Sequence, residues 1–172
     1  MKRRIALGAV LVAVLALGAV WAFAAPQAGA SGTTAPAQSM TVLATGQKQG
    51  VFTKTPIPLL SLSHEIVVPR DSGSPYPAGR QQHMPISMTM LMGPTTPRFL
   101  TALTTSEILT SVQISLVRSG TKVATIKLTN ARVAHYVETD QTVQFDLTYE
   151  RIEWTWLAGG LTAQDYWINP AA

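Results

Sequence analysis

The chain contains no cysteine among its 172 residues. This absence excludes disulfide bonds, a thiol nucleophile and cysteine ligands for a metal. Histidine is also scarce, with three residues, and Asp, Glu, Lys and Arg together make up only 13% of the chain. A folded domain of this composition must be held by its own apolar core or by association with other chains, because small exported domains usually depend on crosslinks.

The basic charge of the chain is largely a property of its N-terminus. Lys2, Arg3 and Arg4 precede an uncharged apolar run over residues 5–25. This pattern predicts a signal peptide over residues 1–24 or, because the run is long enough to span a bilayer, an N-terminal membrane anchor. The A-x-A triplet at residues 22–24 favours cleavage between Ala24 and Ala25, so we expect an exported protein that is periplasmic, at the cell surface or extracellular.

Behind the signal, residues 25–39 have the composition of a disordered spacer, and residues 40–172 are expected to form one domain. Without residues 1–24, ten basic residues stand against nine acids, and no footprint for nucleic acid remains. The charge is uneven, with nine bases and three acids in residues 48–132, and one base and six acids in residues 133–172. Either neighbouring strands of one domain pair these charges, or complementary surfaces meet between subunits.

Most of the domain has the pattern of strands and tight turns. Strands are predicted at residues 40–45, 59–68 and 82–92, with Pro85 favouring an edge or a bulge. The prolines and glycines of residues 69–80 predict a long irregular loop. One short helix is predicted in the segment TTPRFLTALTTS, capped by Thr96 and with Phe99, Leu100 and Leu103 on one face.

Two hairpins are predicted from the pairing of apolar residues. In the first, residues whose numbers sum to 240 face each other around a three-residue turn that contains Gly120, so Ile114 lies beside Ile126. In the second, paired numbers sum to 280 around residues 139–141, so His135 faces Phe145 and Ile126 faces Trp154. The predicted shared core is Ile114, Ile126, Leu128, Ala131, Tyr149, Ile152, Trp154 and Trp156.

The second hairpin changes the face that it buries. Apolar residues alternate in FDLTY and again in IEWTW, but on the opposite parity, and the partner strand breaks phase between Leu128 and Ala131. Under the 280 register this break lies opposite Glu150 and Arg151. Matched breaks keep the pairing intact, so we predict a sharp bend that lets one hairpin serve both sheets of a barrel or sandwich.

With these elements placed, the chain resembles the haemolysin-coregulated protein family, Hcp, the tube subunit of type VI secretion. The resemblance lies in the order of several segments, which are GRQQHMPISMT, TPRFLTAL, VQISLVRSG, IKLTNARV, FDLTYERIEWTW and DYWINP. It implies a mainly β fold, a compact β-barrel of two packed antiparallel sheets with one short α-helix. It also implies hexameric rings that stack into tubes, with the long loop contacting the next ring through Arg70, Asp71, Tyr76 and Arg80.

No residue pattern indicates catalysis or a cofactor. His64, His83 and His135 lack close ligand spacing, so metal binding is not expected, and no G-x-S-x-G motif marks a nucleophile. We therefore predict a structural, self-assembling protein with no enzymatic activity. Its partners are copies of itself and, in addition, secretion-system or envelope proteins, with membrane contact only if the N-terminus stays uncleaved. The alternative is a monomeric cell-envelope module that binds a small ligand or a partner protein through its tryptophan face or barrel mouth.

Overall fold

The computed structural model describes residues 38–73 and 76–167, so the predicted signal peptide, the Ala24–Ala25 cleavage site and most of the spacer lie outside the described residues. The described residues form strands and one helix in the following chain order. The elements are β1 (Gln38–Gly46), β2 (Gly50–Val51), β3 (Ile57–Ser63), β4 (Ile66–Val67), β5 (Gln82–His83), β6 (Ile86–Leu91), α1 (Thr96–Thr104), β7 (Leu109–Arg118), β8 (Thr121–Thr139), β9 (Thr142–Thr148), β10 (Arg151–Trp156) and β11 (Leu161–Tyr166).

Six antiparallel strands close into a barrel. They follow the order β8, β7, β1, β3, β6 and β9, and β9 pairs back onto β8. The other five described strands lie outside this closed ring. Strand β10 pairs with β8, and β11 pairs with β10 alone. Strand β2 pairs with β1, and β4 and β5 form a separate two-stranded sheet. We call the β10–β11 hairpin, residues 151–166, the wing. The predicted β-barrel with one short helix is confirmed, and its wall is one continuous hydrogen-bonded ladder.

The predicted registers are confirmed for the apolar residues where β8 pairs with β7 and where it pairs with β10. Ile114 pairs with Ile126, and Ile126 pairs in turn with Trp154. The turns are tighter than expected, since Arg118 pairs with Thr121 and leaves a two-residue loop. Both residues of this loop have positive φ, 50° at Ser119 and 78° at Gly120. Such a turn matches the right-handed twist of the flanking strands better than a longer loop does.

Where β8 pairs with β9, the register of the long hairpin shifts by one residue. Val133 pairs with Leu147 as predicted, but a bulge follows, and Tyr136 rather than His135 pairs with Phe145. The predicted inward position of His135 is therefore wrong, and its side chain is 57% exposed beside Asp146. A bulge of one residue exchanges the two faces of a strand, which is why every side chain after it points the other way.

The predicted bend lies at Asn130 and Glu150. Asn130 has a φ of 50°, a left-handed conformation that asparagine tolerates better than most residues. Its side-chain amide donates to Glu150 Oε2 at 2.7 Å, and the backbone N–H of Glu150 donates to the carbonyl of Thr129 at 3.1 Å. Both arms of the hairpin thus change phase at the same level. At this level β8 stops pairing with β10 and begins to pair with β9.

The predicted core residues divide into three groups by exposure. Ile114, Leu128, Ala131 and Ile152 are fully buried, and Tyr149 is 4% exposed. Ile126 and Trp154 are partly buried and pack against the core. Trp156 was expected in the core, and this is wrong, since the side chain is 42% exposed. Trp156 is the last residue of β10, which pairs with β8 but lies outside the closed ring of strands.

The sheet edges also differ from the expectation. Met40 and the strand after Pro85 were expected at edges, but Met40 pairs with Leu59 on one side and Leu116 on the other. Strand β6 likewise lies between β3 and β9. Closure of a barrel removes strand edges from its wall, so both positions are interior.

The helix begins one residue earlier than predicted. Thr95 occupies the N-cap position, and its side chain makes no capping hydrogen bond. The buried face consists of Thr96, Phe99 and Ala102, whereas Leu100 is 40% exposed. Within the described ranges, no helix is long and apolar enough to cross a membrane.

A buried carboxylate joins the β1–β2 turn to the end of the helix. Glu107 is 2% exposed, and its Oε1 accepts the backbone N–H groups of Lys48 and Gln49 at 2.7 and 2.8 Å. Its Oε2 accepts from Gln49 Nε2 at 2.8 Å. Burial alone would raise the pKa of Glu107, but these hydrogen bonds and the charge of Lys48 outweigh it and lower the pKa below its ordinary value of 4.5. A side chain on Gly46 would collide with this carboxylate, because a Cβ there would lie 2.3 Å from Oε1.

We expect Asn130→Ala to lower the free energy of unfolding by about 1–2 kcal/mol, because alanine disfavours the left-handed conformation. Asn130→Gly is the matched control, since glycine adopts positive φ freely while also lacking the bond to Glu150. Urea unfolding of both variants measures the difference. Equal losses in the two variants would show that the backbone conformation contributes nothing.

We expect Glu107→Gln to cost about 1–3 kcal/mol, because an amide cannot accept all three hydrogen bonds. A lowered folded pKa means that Glu107 stabilises the native protein above about pH 4.5 and that this contribution is lost as the pH falls through the folded pKa. The wild-type protein should therefore lose stability over this acidic range more steeply than the variant. Parallel pH dependences in thermal unfolding would contradict this account.

Candidate functional site

The four predicted loop residues all lie on the surface. Arg70, Asp71, Tyr76 and Arg80 are exposed, and a single β-bridge between Arg70 and Pro77 narrows the loop. The backbone N–H of Ala78 donates to the carbonyl of Pro69 at 2.8 Å. Backbone pairing thus joins the two sides of the loop near Pro69 and Ala78.

Both ends of this loop are fastened to the hydroxyl of one tyrosine. His64 Nε2 lies 2.7 Å from Tyr149 Oη, and His83 Nδ1 lies 2.9 Å from the same oxygen. The side chain of His83 is fully buried, and its Nε2 lies 3.4 Å from Asp165 Oδ2 on β11. The cluster of His64, His83, Tyr149 and Asp165, which we call the loop anchor, joins the loop to the barrel and the wing.

Aromatic rings enclose the loop anchor. The ring of Trp167 packs 5.8 Å from that of His83 and 5.1 Å from that of Tyr149, measured between centroids. Trp154 lies 5.6 Å from His64. Asp165 is held in turn by Gln81, whose amide donates to both carboxylate oxygens at 2.7 and 2.8 Å.

Burial governs the acid–base properties of the loop anchor. It raises the pKa of Tyr149 well above its ordinary value, and the charge of Asp165 acts in the same direction. Desolvation lowers the pKa of His64, with a further contribution from the charge of His83. Both groups are therefore neutral at pH 7.

The order Asp165, His83, Tyr149 is that of an acid–base triad, but its chemistry differs. A nucleophile is activated by a lowered pKa or by a base that is free to take its proton at an accessible site. The hydroxyl of Tyr149 is buried, and its raised pKa opposes ionisation. The described residues also contain no group of three or more His, Cys, Asp and Glu side chains placed to hold a metal ion. The cluster is thus suited to fastening the loop.

Sequence reasoning found only part of the loop anchor. Tyr149 was assigned to the core, and the alternation of His64 with Leu62 and Ile66 was a signal that it points inward. The contribution of Asp165 was missed, because β11 was not predicted and its register with β10 brings Asp165 opposite Ile152.

The wing carries the largest departure from the predicted core. Its inner face runs through Trp154, Trp156 and, across the hairpin, Leu161, which pairs with Trp156. Leu161 is 72% exposed and Leu157 is 44% exposed. Because β11 pairs on one side only, its outer backbone edge is also uncovered in the described part of the chain.

An apolar cavity of about 190 Å³ adjoins the wing. It is lined by Trp156 together with residues at the start of β1, in β3 and around the β7–β8 turn, including Met40, Leu60, Leu116 and Arg118. Leu60 is 53% exposed. Wing and cavity thus form one continuous apolar region at this end of the barrel.

These features define a class of protein, the small closed β-barrel that carries an exposed strand edge and an exposed apolar surface. The family model described as "Type VI secretion system effector, Hcp" matches residues 32–156. The chain belongs to the Hcp family of type VI secretion proteins.

Known relatives agree with this assignment. The chain is 32% identical over 130 residues to the "Major exported protein" of Pseudomonas aeruginosa, covering 64% of this chain and 74% of the relative. A solved structure described as "Crystal structure of Hcp protein" superposes with a TM-score of 0.69 at 22% identity, covering 77% of this chain and 99% of that one. The secreted protein Hcp3 from Pseudomonas aeruginosa gives 0.66 at 23% identity, covering 77% and 100%.

The structural likenesses establish the fold, and the family match establishes the family. The predicted family, the function of a structural protein related to type VI secretion tube subunits and the exported location are confirmed. Export by way of the N-terminal signal and cleavage at Ala24–Ala25 stay predictions.

Proposed function

We propose that the protein is a structural subunit that closes on copies of itself into a hexameric ring and has no catalytic activity of its own. The observation that carries this proposal is the wing, which leaves the closed barrel and ends in a one-sided strand with an exposed apolar face. Monomeric proteins rarely expose a contiguous apolar surface. A neighbouring subunit can cover it.

The open edge of β11 supports pairing with another chain. Residues 161–166 bond to β10 on one side, and their other backbone groups are available to a strand of a neighbouring subunit. Addition of a strand to an edge gives affinity through main-chain hydrogen bonds. In a chain without cysteine, such contacts between subunits take over the role of crosslinks.

The apolar face supports the same contact. Trp156, Leu157 and Leu161 expose 42%, 44% and 72% of their surface on one hairpin. Exposed apolar residues that cluster, rather than lie singly, mark sites of association. Large apolar side chains beside a cavity are also typical of the centre of a protein interface, where most of the binding energy arises.

The separation of charge favours a head-to-tail contact. Lys127 lies directly opposite Glu153, as strand pairing within one domain would require, yet Glu153 bonds Arg151 and Lys127 stays exposed. The excess of bases in residues 48–132 and the excess of acids in residues 133–172 would be complementary across a contact between subunits. A contact between two different surfaces generates a closed ring when its rotation closes.

The long loop provides a second contact surface in this proposal. Arg70, Asp71, Tyr76 and Arg80 are exposed, and in this proposal they meet a neighbouring ring. Stacked rings would form a tube, and secretion-system or envelope proteins would be its partners. The loop anchor holds this surface in place.

A monomeric binding module of the cell envelope is the second candidate. The apolar cavity beside Trp156 favours it, because a small ligand fits a cavity of about 190 Å³. The two candidates differ in the mass of the protein in solution, which light scattering on a sizing column measures directly.

We expect the wild-type full chain, purified in detergent if its N-terminus is retained, to elute with six times the subunit mass. Leu161→Glu should shift it to monomer, because burying a leucine is worth about 1.5–3 kcal/mol and each ring contact would lose it. The fold should be unaffected, since Leu161 is 72% exposed in the subunit.

Leu100→Glu is the matched control, an exposed leucine on α1 with the same substitution. It should leave the ring mass unchanged. A wild-type monomer at high concentration would remove the ring proposal and favour the binding module. A hexamer that survives Leu161→Glu would show that the wing is not the ring contact.

A further inference from the structure

The two histidines of the loop anchor share the hydroxyl of Tyr149. The hydrogen bonds that this hydroxyl can make therefore depend on how many protons the two imidazoles carry. Tyr149 Oη can donate one hydrogen and accept two. His64 Nε2 and His83 Nδ1 both lie within hydrogen-bond distance of it, at 2.7 and 2.9 Å. The protonation state of the pair therefore decides whether every group finds a partner.

With both imidazoles neutral, one arrangement satisfies both hydrogen bonds at the tyrosine hydroxyl. His64 Nε2–H donates to Tyr149 Oη, and the hydroxyl donates to His83 Nδ1. The buried His83 Nε2 lies 3.4 Å from Asp165 Oδ2 without a hydrogen bond to it, so the carboxylate acts on this imidazole through its charge.

One added proton is also accommodated. If His83 gains it at Nδ1, this nitrogen donates to Tyr149, and the imidazolium faces the Asp165 carboxylate. His64 changes tautomer, so that its hydrogen moves from Nε2 to Nδ1 by exchange with water, and the hydroxyl turns to donate to His64 Nε2. The hydrogen bonds reverse direction and none is lost. The carboxylate of Asp165 balances the new charge.

A second proton cannot be accommodated. Both nitrogens that face Tyr149 then carry hydrogen, so the hydroxyl accepts from both and its own hydrogen has no acceptor in a site where Tyr149 is 4% exposed. Two positive charges also meet at one oxygen, against the single carboxylate of Asp165. The cluster can escape this state by releasing the imidazoles to water.

Within the described residues, Asp165 is the one carboxylate that forms an ion-pair contact with either imidazole. The titratable groups that face them are Tyr149 at the end of β9 and Asp165 on β11, while β10 contributes the ring of Trp154 and the loop contributes the amide of Gln81, which bonds Asp165. The pKa of His64 lies below its ordinary value of 6.5 in the folded protein. Below about pH 6.5, His64 binds more protons when the loop is released than when it is anchored. The free energy that favours anchoring therefore decreases as the pH falls.

We propose that the loop anchor is a two-proton switch that holds the loop against the barrel at neutral pH, tolerates one proton, and releases the loop in acid when both histidines are protonated. Release would free Arg70 and Arg80 from their present positions, and, resting on the proposed function, would make contacts between rings sensitive to acid.

Hydrogen exchange of the full chain, corrected for the intrinsic effect of pH, tests this proposal. In the wild-type protein, protection of residues 66–73 and 76–83 should fall about tenfold or more between about pH 7.5 and about pH 5, since a single titrating group changes an equilibrium at most tenfold per pH unit. Protection of the barrel strand β7 should be unchanged and serves as the internal reference.

Two matched variants assign the effect. His64→Gln keeps an amide N–H to donate to Tyr149 but cannot be protonated, so its loop should stay protected at about pH 5. His135→Gln removes the exposed histidine that pairs with Asp146, and its loop should be released as in the wild type. Tyr149→Phe removes the shared oxygen and should expose the loop at neutral pH, with faster tryptic cleavage after Arg70 and Arg80.

Equal wild-type protection at the two pH values would overturn the switch, as would identical acid behaviour of the His64 and His135 variants. The subunit mass, measured in parallel, separates this result from the ring proposal. A hexamer whose loop never opens overturns the switch alone, whereas a monomer whose loop opens in acid overturns the ring alone.

Discussion

The paired bend at Asn130 and Glu150 is the constraint on which the rest of the structure depends. Because both arms of the long hairpin change phase at the same level, β8 can pair with β10 along one half and with β9 along the other. The lower half closes the six-stranded barrel, and the upper half carries the wing out of it. A bend in one arm alone would offset the ladder, and either the barrel or the wing would lose its partner.

The closed barrel and the wing differ in how much of their surface is covered. The closed wall buries the apolar faces of six strands and leaves no edge within itself, which gives a chain without disulfides a stable core. The wing keeps what closure removes elsewhere, an unpaired edge and an exposed apolar face at Trp156 and Leu161. In the ring that we propose, the closed barrel is the rigid body and the wing is the surface that a second copy covers.

The polar side chains that are buried serve as fasteners. Glu107 holds the β1–β2 turn to the end of the helix, and Tyr149 holds both ends of the long loop. In each case one side chain gathers groups that are distant in sequence, and burial strengthens the hydrogen bonds that it receives or donates. The two fasteners contain different titratable groups. Hydrogen bonds outweigh burial and lower the pKa of the Glu107 carboxyl, whereas burial itself lowers the pKa of His64.

The sequence by itself determined the barrel class, the hairpin registers from Val112 to Leu128 and the place of the bend, because alternation of apolar residues is a local property of a strand. It was also sufficient for the family resemblance. Only the tertiary structure decided that Met40 is interior, that Trp156 is half exposed and that His64, His83 and Asp165 meet at Tyr149. The bulge after Val133 was hidden as well, because one unpaired residue leaves little trace in the pattern. These outcomes depend on which strands become neighbours when the sheet closes, and no local pattern contains that information.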